Sequence, residues 1–275
     1  MTKIISIHSF RGGTGKSNVT ANLATIIARM GYRVGIVDTD IQSPGIHVPF
    51  GLDESKVKYT LNDYLWGRCA IEAATYDVSS IFTTRQKKNW FNKNQGKIYL
   101  IPSSIKTSEI SRILREGYDA RLLNDGFRHL IQRLKLDYLF IDTHPGINEE
   151  TLLSAIISDV LVVILRPDKQ DYQGTAVTVD VARKLDVQKI LLVINKVLPS
   201  LNQEALKQQV QTTYNVPVAG VLPVCDEMFH LASSDIFCLR YPEHPWTNIV
   251  NGIAKQLSDN HKPLNQSFSF GKTMS

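Results

Sequence analysis

A chain of 275 residues, 43% of them apolar, is long enough to bury one large core. It holds no apolar run of the roughly 18 residues that a membrane span needs, and Met1-Thr2-Lys3 runs straight into a strand-like Ile4-Ile5-Ser6-Ile7, so neither a span nor a secretory leader is expected and the expected location is cytoplasmic. The net charge is +5, and the odd set Cys69, Cys225 and Cys238 offers no CxxC pair for metal or redox work, which suits buried or incidental thiols in a reducing compartment.

In chain order, the first strand is predicted over 3–8. A helix follows over 16–30, with Val19, Leu23, Ile26, Ile27 and Met30 at helical spacing and Gly31 as its stop. A second strand is predicted over 33–38. Residues 51–96 read as an irregular insertion between strands, and the stretch 83–97 at its end holds Arg85, Lys87, Lys88, Lys93 and Lys97 with no acid, which accounts for the whole net charge. Strands then fall at 97–101, 137–142, 159–165, 189–195 and 216–222. They alternate with helices at 108–116, 120–134, 149–158, 172–185, 202–214 and 246–257. Short continuous Ile/Val/Leu runs are buried on both faces, so the fold class is α/β, a doubly wound, mostly parallel sheet flanked by helices. Residues 1–257 are expected to form a single domain, with 258–275 as a polar tail.

Between the first strand and helix lies His8-Ser9-Phe10-Arg11-Gly12-Gly13-Thr14-Gly15-Lys16-Ser17. Such a loop turns its backbone N–H groups onto phosphate oxygens, its glycines permit close approach, and the helix N-terminus adds a favourable dipole. Lys16 is placed to reach β and γ phosphates and the Ser17 hydroxyl to bind Mg²⁺. The strict G-x-x-x-x-G-K-[ST] pattern fails because Phe10 stands at its first glycine. The sequence instead resembles the deviant Walker A motif of the MinD/ParA P-loop ATPases, with Arg11 where that family carries a signature lysine. The resemblance implies ATP contacts at Gly12, Gly13, Thr14, Gly15, Lys16, Ser17 and Asn18. It also implies an Arg11 side chain that touches the partner's phosphates across a nucleotide sandwich dimer, a role for which a guanidinium fork is suited.

The second strand ends in Val37-Asp38-Thr39-Asp40, at the edge where open parallel sheets bind ligands. This resembles the family's switch I, which implies that Asp40 orients the attacking water and Asp38 supports the Mg²⁺ shell. By the same resemblance Tyr138-Leu139-Phe140-Ile141-Asp142 is a Walker B strand, with Asp142 as metal ligand, and Thr143-His144-Pro145-Gly146 is switch II, whose Gly146 N–H can face a γ-phosphate. His144 falls where the family varies. Phosphoryl transfer can proceed by positioning, so His144 is given no role as a base.

Asn195 ends its strand where the family reads the adenine edge, and Pro223 and Asp226 lie in a segment that flanks the base. The alternative for Asn195 is simple strand termination. Asn195-Lys196-Val197-Leu198 lacks the Asp of a guanine-reading N-K-x-D, which favours ATP by resemblance. The implied function is an ATPase switch that forms a homodimer in the ATP state and positions or partitions a cargo, assisted by an activating protein. Residues 85–97, with Trp90 and Phe91 among the bases, offer a surface for nonspecific DNA phosphates, or form a solvated loop. The stripe Trp246, Ile249, Val250, Ile253 and Leu257 fits a core helix rather than a membrane anchor. Alternatives are a metabolic or maturation enzyme on the same fold, or an ATP-binding module without significant hydrolysis.

Overall fold

A computed structural model describes residues 1–84, 96–119 and 121–258. The chain order is β1 (Lys3–His8), α1 (Lys16–Arg29), β2 (Arg33–Asp38), two 3₁₀ turns (Glu54–Lys56, Ile71–Ala74) on either side of α2 (Leu61–Leu65), then β3 (Tyr76–Asp77), α3 (Ile81–Thr84) and β4 (Lys97–Ile101). It continues through α4 (Thr107–Glu116), α5 (Arg121–Leu134), β5 (Tyr138–Asp142), α6 (Glu149–Ile156), β6 (Val160–Leu165), α7 (Lys169–Lys184) and β7 (Ile190–Val197). The last elements are α8 (Gln203–Tyr214), β8 (Val218–Pro223), α9 (Asp226–Leu231), α10 (Phe237–Arg240) and α11 (Pro245–Ser258).

Eight strands form one sheet in the order β3-β4-β2-β5-β1-β6-β7-β8. All pairings are parallel except that of β3, which runs antiparallel to β4 at the edge. Both faces are covered, as the apolar runs require. Along β5, Tyr138 and Phe140 join the core under α1 and α11, while Leu139 and Ile141 face the layer that includes α5. Along β6, Val160, Val162 and Ile164 face the first of these layers, and Leu161, Val163 and Leu165 face α7 and α8. This alternation is the strand period of two applied to a sheet with no wet face. The stripe on α11 is part of the core: Trp246, Val250, Ile253 and Leu257 are all buried.

Helix boundaries differ from the sequence reading where a side chain supplies a cap. α7 starts at Lys169 instead of Tyr172 because Asp168 accepts hydrogen bonds from the N–H groups of Gln170 (3.1 Å) and Asp171 (2.9 Å). The expected irregular region between β2 and β4 is broken into short turns, with Thr60 and Asp63 forming a capping box at α2. Residues 85–95, the centre of the basic stretch, and 259–275 of the tail lie outside the described residues. No helix among the described residues is long and apolar enough to cross a membrane.

Candidate functional site

β1 lies between β5 and β6, and the chain leaves its carboxyl end into a loop that closes on the first turn of α1. Gly13 (φ +74°) and Gly15 (φ +95°) both take left-handed backbone, and Gly15 is the N-cap of α1. A Cβ on Gly15 would also stand 2.5 Å from Asn195 Nδ2, so this position requires glycine for conformation and for space. Phe10, the departure from the strict pattern, packs on α7: a Cβ on Gly174 would lie 2.2 Å from the Phe10 ring. Its side chain thus fixes the loop against a second helix.

Lys16 is 6% exposed, with Nζ 4.0 Å from Asp40 Oδ2. Opposite it, parallel register sets Asp38 directly beside Asp142 at the ends of β2 and β5. Both are fully buried. Asp38 accepts from the N–H groups of Asp40 (3.1 Å) and Gly45 (3.2 Å). Asp142 Oδ1 accepts from the Thr20 hydroxyl at 3.0 Å, while its Oδ2 is buried without a hydrogen-bond partner. Burial, then the charges of Asp142 and Asp40, hold the Asp38 carboxyl well above its ordinary range. Burial pushes Asp142 up to about 6 against the pull of Lys16 and of the nearby hydroxyls of Ser17 and Thr20. Asp40 is also raised by burial, opposed by Lys16 and His144. Three carboxylates with an excess of negative charge and an unpartnered oxygen beside a serine hydroxyl fit a hard divalent cation such as Mg²⁺.

Asn195 spends one N–H on Thr14 O (2.8 Å), and its Oδ1 accepts from Lys196 N (2.9 Å). An amide carries two donors and two acceptor sites, so one of each is left for a ligand. Lys196 was not singled out from the sequence beyond its place after Asn195. It takes left-handed backbone (φ +57°) and sends Nζ to Gly13 O at 2.8 Å, so two consecutive side chains of β7 clamp the phosphate loop.

Gly12, Gly13, Gly15, Lys16, Ser17, Asn18, Asp40, Asn195 and Pro223 all line one cleft of about 500 Å³. Its far wall is apolar, with Val224 from the segment expected to flank the base, Trp246 from the α11 stripe, and Met228 and Phe229, which no motif marks in the sequence. Asn18 Nδ2 donates to Met228 Sδ at 3.4 Å, joining α1 to that wall. Thr14, Asp38 and Asp142 are buried and do not line it, and two more of the expected residues sit elsewhere. Asp226 is exposed at the start of α9, because helix formation turns it outward while Val224 and Cys225 face the cleft. Arg11 hydrogen-bonds Gln170 Oε1 in the first turn of α7. Arg166, just after β6, and Asp171, in the first turn of α7, pair with each other at 3.0 Å, with Asp171 buried.

One further cluster has metal-ligating residue types. Donor atoms of Cys225, Glu227 and His244 lie within 4.8 Å of one another. His244 Nδ1, however, accepts from Trp246 N at 3.1 Å as a cap of α11, which leaves the neutral ring's proton on Nε2, the atom 3.6 Å from Glu227. That proton blocks the nitrogen as a ligand.

Residues 5–236 match the family described as the CobQ/CobB/MinD/ParA nucleotide-binding domain. An uncharacterized ATP-binding protein of Methanocaldococcus jannaschii is 27% identical over 94% of this chain and 88% of its own. The cell-division ATPase MinD of Pyrococcus furiosus superposes with a TM-score of 0.76 at 23% identity, over 94% of this chain and 99% of its own. The septum site-determining protein MinD of Pyrococcus horikoshii, solved with Mg-ADP, gives a TM-score of 0.74 at 24% identity, over 94% and 97% of the two chains. These two likenesses concern the fold.

Proposed function

The chain belongs to the CobQ/CobB/MinD/ParA nucleotide-binding family, and on that premise we propose that it is a Mg²⁺-dependent ATPase that switches between an ATP-bound homodimer and an ADP-bound open form. The observation that carries this reading is the meeting of the phosphate loop, Lys16 and Asp40 on one cleft, above the buried pair Asp38 and Asp142. The M. jannaschii relative bears an ATP-binding name, the P. furiosus neighbour is an ATPase, and the P. horikoshii neighbour holds Mg-ADP, which supports the same ligand here.

In this reading Gly12–Ser17 and Asn18 hold the phosphates, and Asn195 and Pro223 meet the adenine. Ser17 and Asp142, backed by Asp38, hold Mg²⁺, which neutralises phosphate charge when bound. Lys16 neutralises charge on the β and γ phosphates and Asp40 orients the attacking water. Gly146 N–H now donates to Ser9 O at 3.1 Å. A γ-phosphate competes for that donor, which ties the switch II segment to nucleotide state. Arg11 leaves Gln170 to reach the partner's phosphates when the dimer closes. Residues 1–257 act as one nucleotide-binding unit, and the dimer's partners are an activator and a cargo to be positioned or partitioned.

Light scattering on the Asp40→Ala protein tests the switch. ATP with Mg²⁺ is expected to give twice the monomer mass and ADP the monomer mass. One mass with both nucleotides contradicts the switch.

A further inference from the structure

Hydrolysis of a phosphoanhydride needs one water held in line with the γ-phosphorus, and a single carboxylate leaves that water free to turn. His144 stands beside Asp40, with Nε2 3.9 Å from Asp40 Oδ1. Its segment is held on both sides: Thr143 N and Oγ1 donate to Ile7 O (3.2 and 3.1 Å), and Gly146 N donates to Ser9 O. The ring therefore has a fixed seat between β5 and the phosphate loop.

The ring's other nitrogen, Nδ1, is buried and has no hydrogen-bond partner. A buried N–H without an acceptor is rarer and more costly than a bare lone pair. The neutral ring thus carries its proton on Nε2, the atom that faces Asp40. Lys16, His8, Asp38 and Asp142 from the strand ends and the loop, and Glu150 from the first turn of α6, are other ionisable groups around this pair. The 3.9 Å gap is too long for a hydrogen bond. It is the span bridged by one water that bonds to both atoms at about 2.8 Å with the two bonds near a right angle.

We propose that His144 is a water-positioning residue, its Nε2–H and the Asp40 carboxylate gripping the attacking water between them. This rests on the ATPase reading above. One water hydrogen goes to Asp40 and one lone pair accepts from His144. The second hydrogen faces a γ-phosphate oxygen and the remaining lone pair faces phosphorus. The water oxygen bonds to the γ-phosphorus as the bond to the β–γ bridging oxygen breaks, with its electron pair leaving on ADP. The second water hydrogen passes to the γ-phosphate oxygen and its remaining partner stays on the new hydroxyl, so ADP and dihydrogen phosphate depart with all charge accounted for.

Single-turnover hydrolysis at saturating Mg·ATP, with ATP affinity from calorimetry, is to be compared for the parent, Lys16→Ala, His144→Ala, His144→Leu and His144→Gln. Loss of one hydrogen bond of ordinary strength predicts a drop of about tenfold in the rate for His144→Ala, with ATP affinity within about twofold of the parent. His144→Gln, whose amide N–H takes the place of Nε2–H, is expected to recover most of the rate, and His144→Leu to recover none. Equal rates in the parent and His144→Ala, or recovery by Leu as full as by Gln, overturn the proposal and leave the ATPase reading standing. A parent no faster than Lys16→Ala ends that reading and this inference with it.

Discussion

Asp38 and Asp142 face each other across adjacent parallel strands, both fully buried, with one carboxylate oxygen of Asp142 unpartnered. Without a cation the fold carries this repulsion as a strain, as expected for a site built to bind charge. Asp142→Asn is therefore predicted to raise the melting temperature of the ligand-free protein by a few degrees at pH 7 to 8. The same variant is predicted to lose the added stabilisation that Mg²⁺ gives to nucleotide binding. The folded pKa of Asp142 lies above its unfolded value of 3.8, at about 6. The folded state keeps a proton that the unfolded chain has released, so this group's contribution falls as pH rises through that window. The advantage of Asn over Asp should be absent near pH 4 and complete above pH 6, as read by calorimetric melts across the range.

His8 gives the opposite slope. Burial first, then Lys16 and His144, lower its pKa from 6.5 to about 3, and its Nδ1 bonds Thr143 Oγ1 at 2.8 Å. Between these values the unfolded chain binds the proton and the folded chain does not, so the contribution is full above pH 6.5 and declines as pH falls. At pH 5 the loss is about 2 kcal/mol. Denaturant melts of the parent and His8→Gln are predicted to converge by that amount between pH 7 and 5. Parallel pH profiles would contradict the neutral, buried state of the ring.

Gly15→Ala is predicted to weaken both the fold and nucleotide binding. Its left-handed backbone costs an alanine about 1–2 kcal/mol. Its Cβ would also displace Asn195 Nδ2 from Thr14 O. Asn195→Ala removes the clamp without the strain, so it should cost about tenfold in ATP affinity with little change in melting temperature. Fluorescent-nucleotide titration of the two variants checks the difference.

Arg11→Ala is predicted to bind ATP with near-parent affinity yet fail to dimerise on it, because its guanidinium sits away from the cleft, on Gln170. Gln170→Ala, which frees that guanidinium, is predicted to dimerise at lower ATP concentration. Sedimentation velocity at several nucleotide concentrations measures both.

The sheet and its loop were legible because their signals are local. Continuous Ile/Val/Leu runs mark strands covered on both faces, and the glycines, Lys16 and Ser17 mark a turn whose backbone angles few other residues adopt. Pairing Asp38 with Asp142 needed the register of β2 against β5, which a distance of about a hundred residues in sequence conceals. The apolar wall of Met228, Phe229 and Trp246 comes from α9 and α11, and an apolar residue in a short helix reads the same whether it faces a core or a ligand. Arg11 is expected to reach across to a partner, a contact that no single chain can display; here its guanidinium bonds Gln170 on its own α7. His144 gained its interest only from its distance to Asp40, since a histidine after a strand has no fixed use.

The most direct measurement is calorimetric titration of the purified protein with ATP in the presence of Mg²⁺, beside Lys16→Ala. The account predicts saturable binding to one site per chain for the parent and binding at least tenfold weaker for Lys16→Ala, since a buried, charge-assisted contact to phosphate is worth about 1.5–3 kcal/mol. No heat of binding in the parent, or identical isotherms for the two proteins, would contradict it.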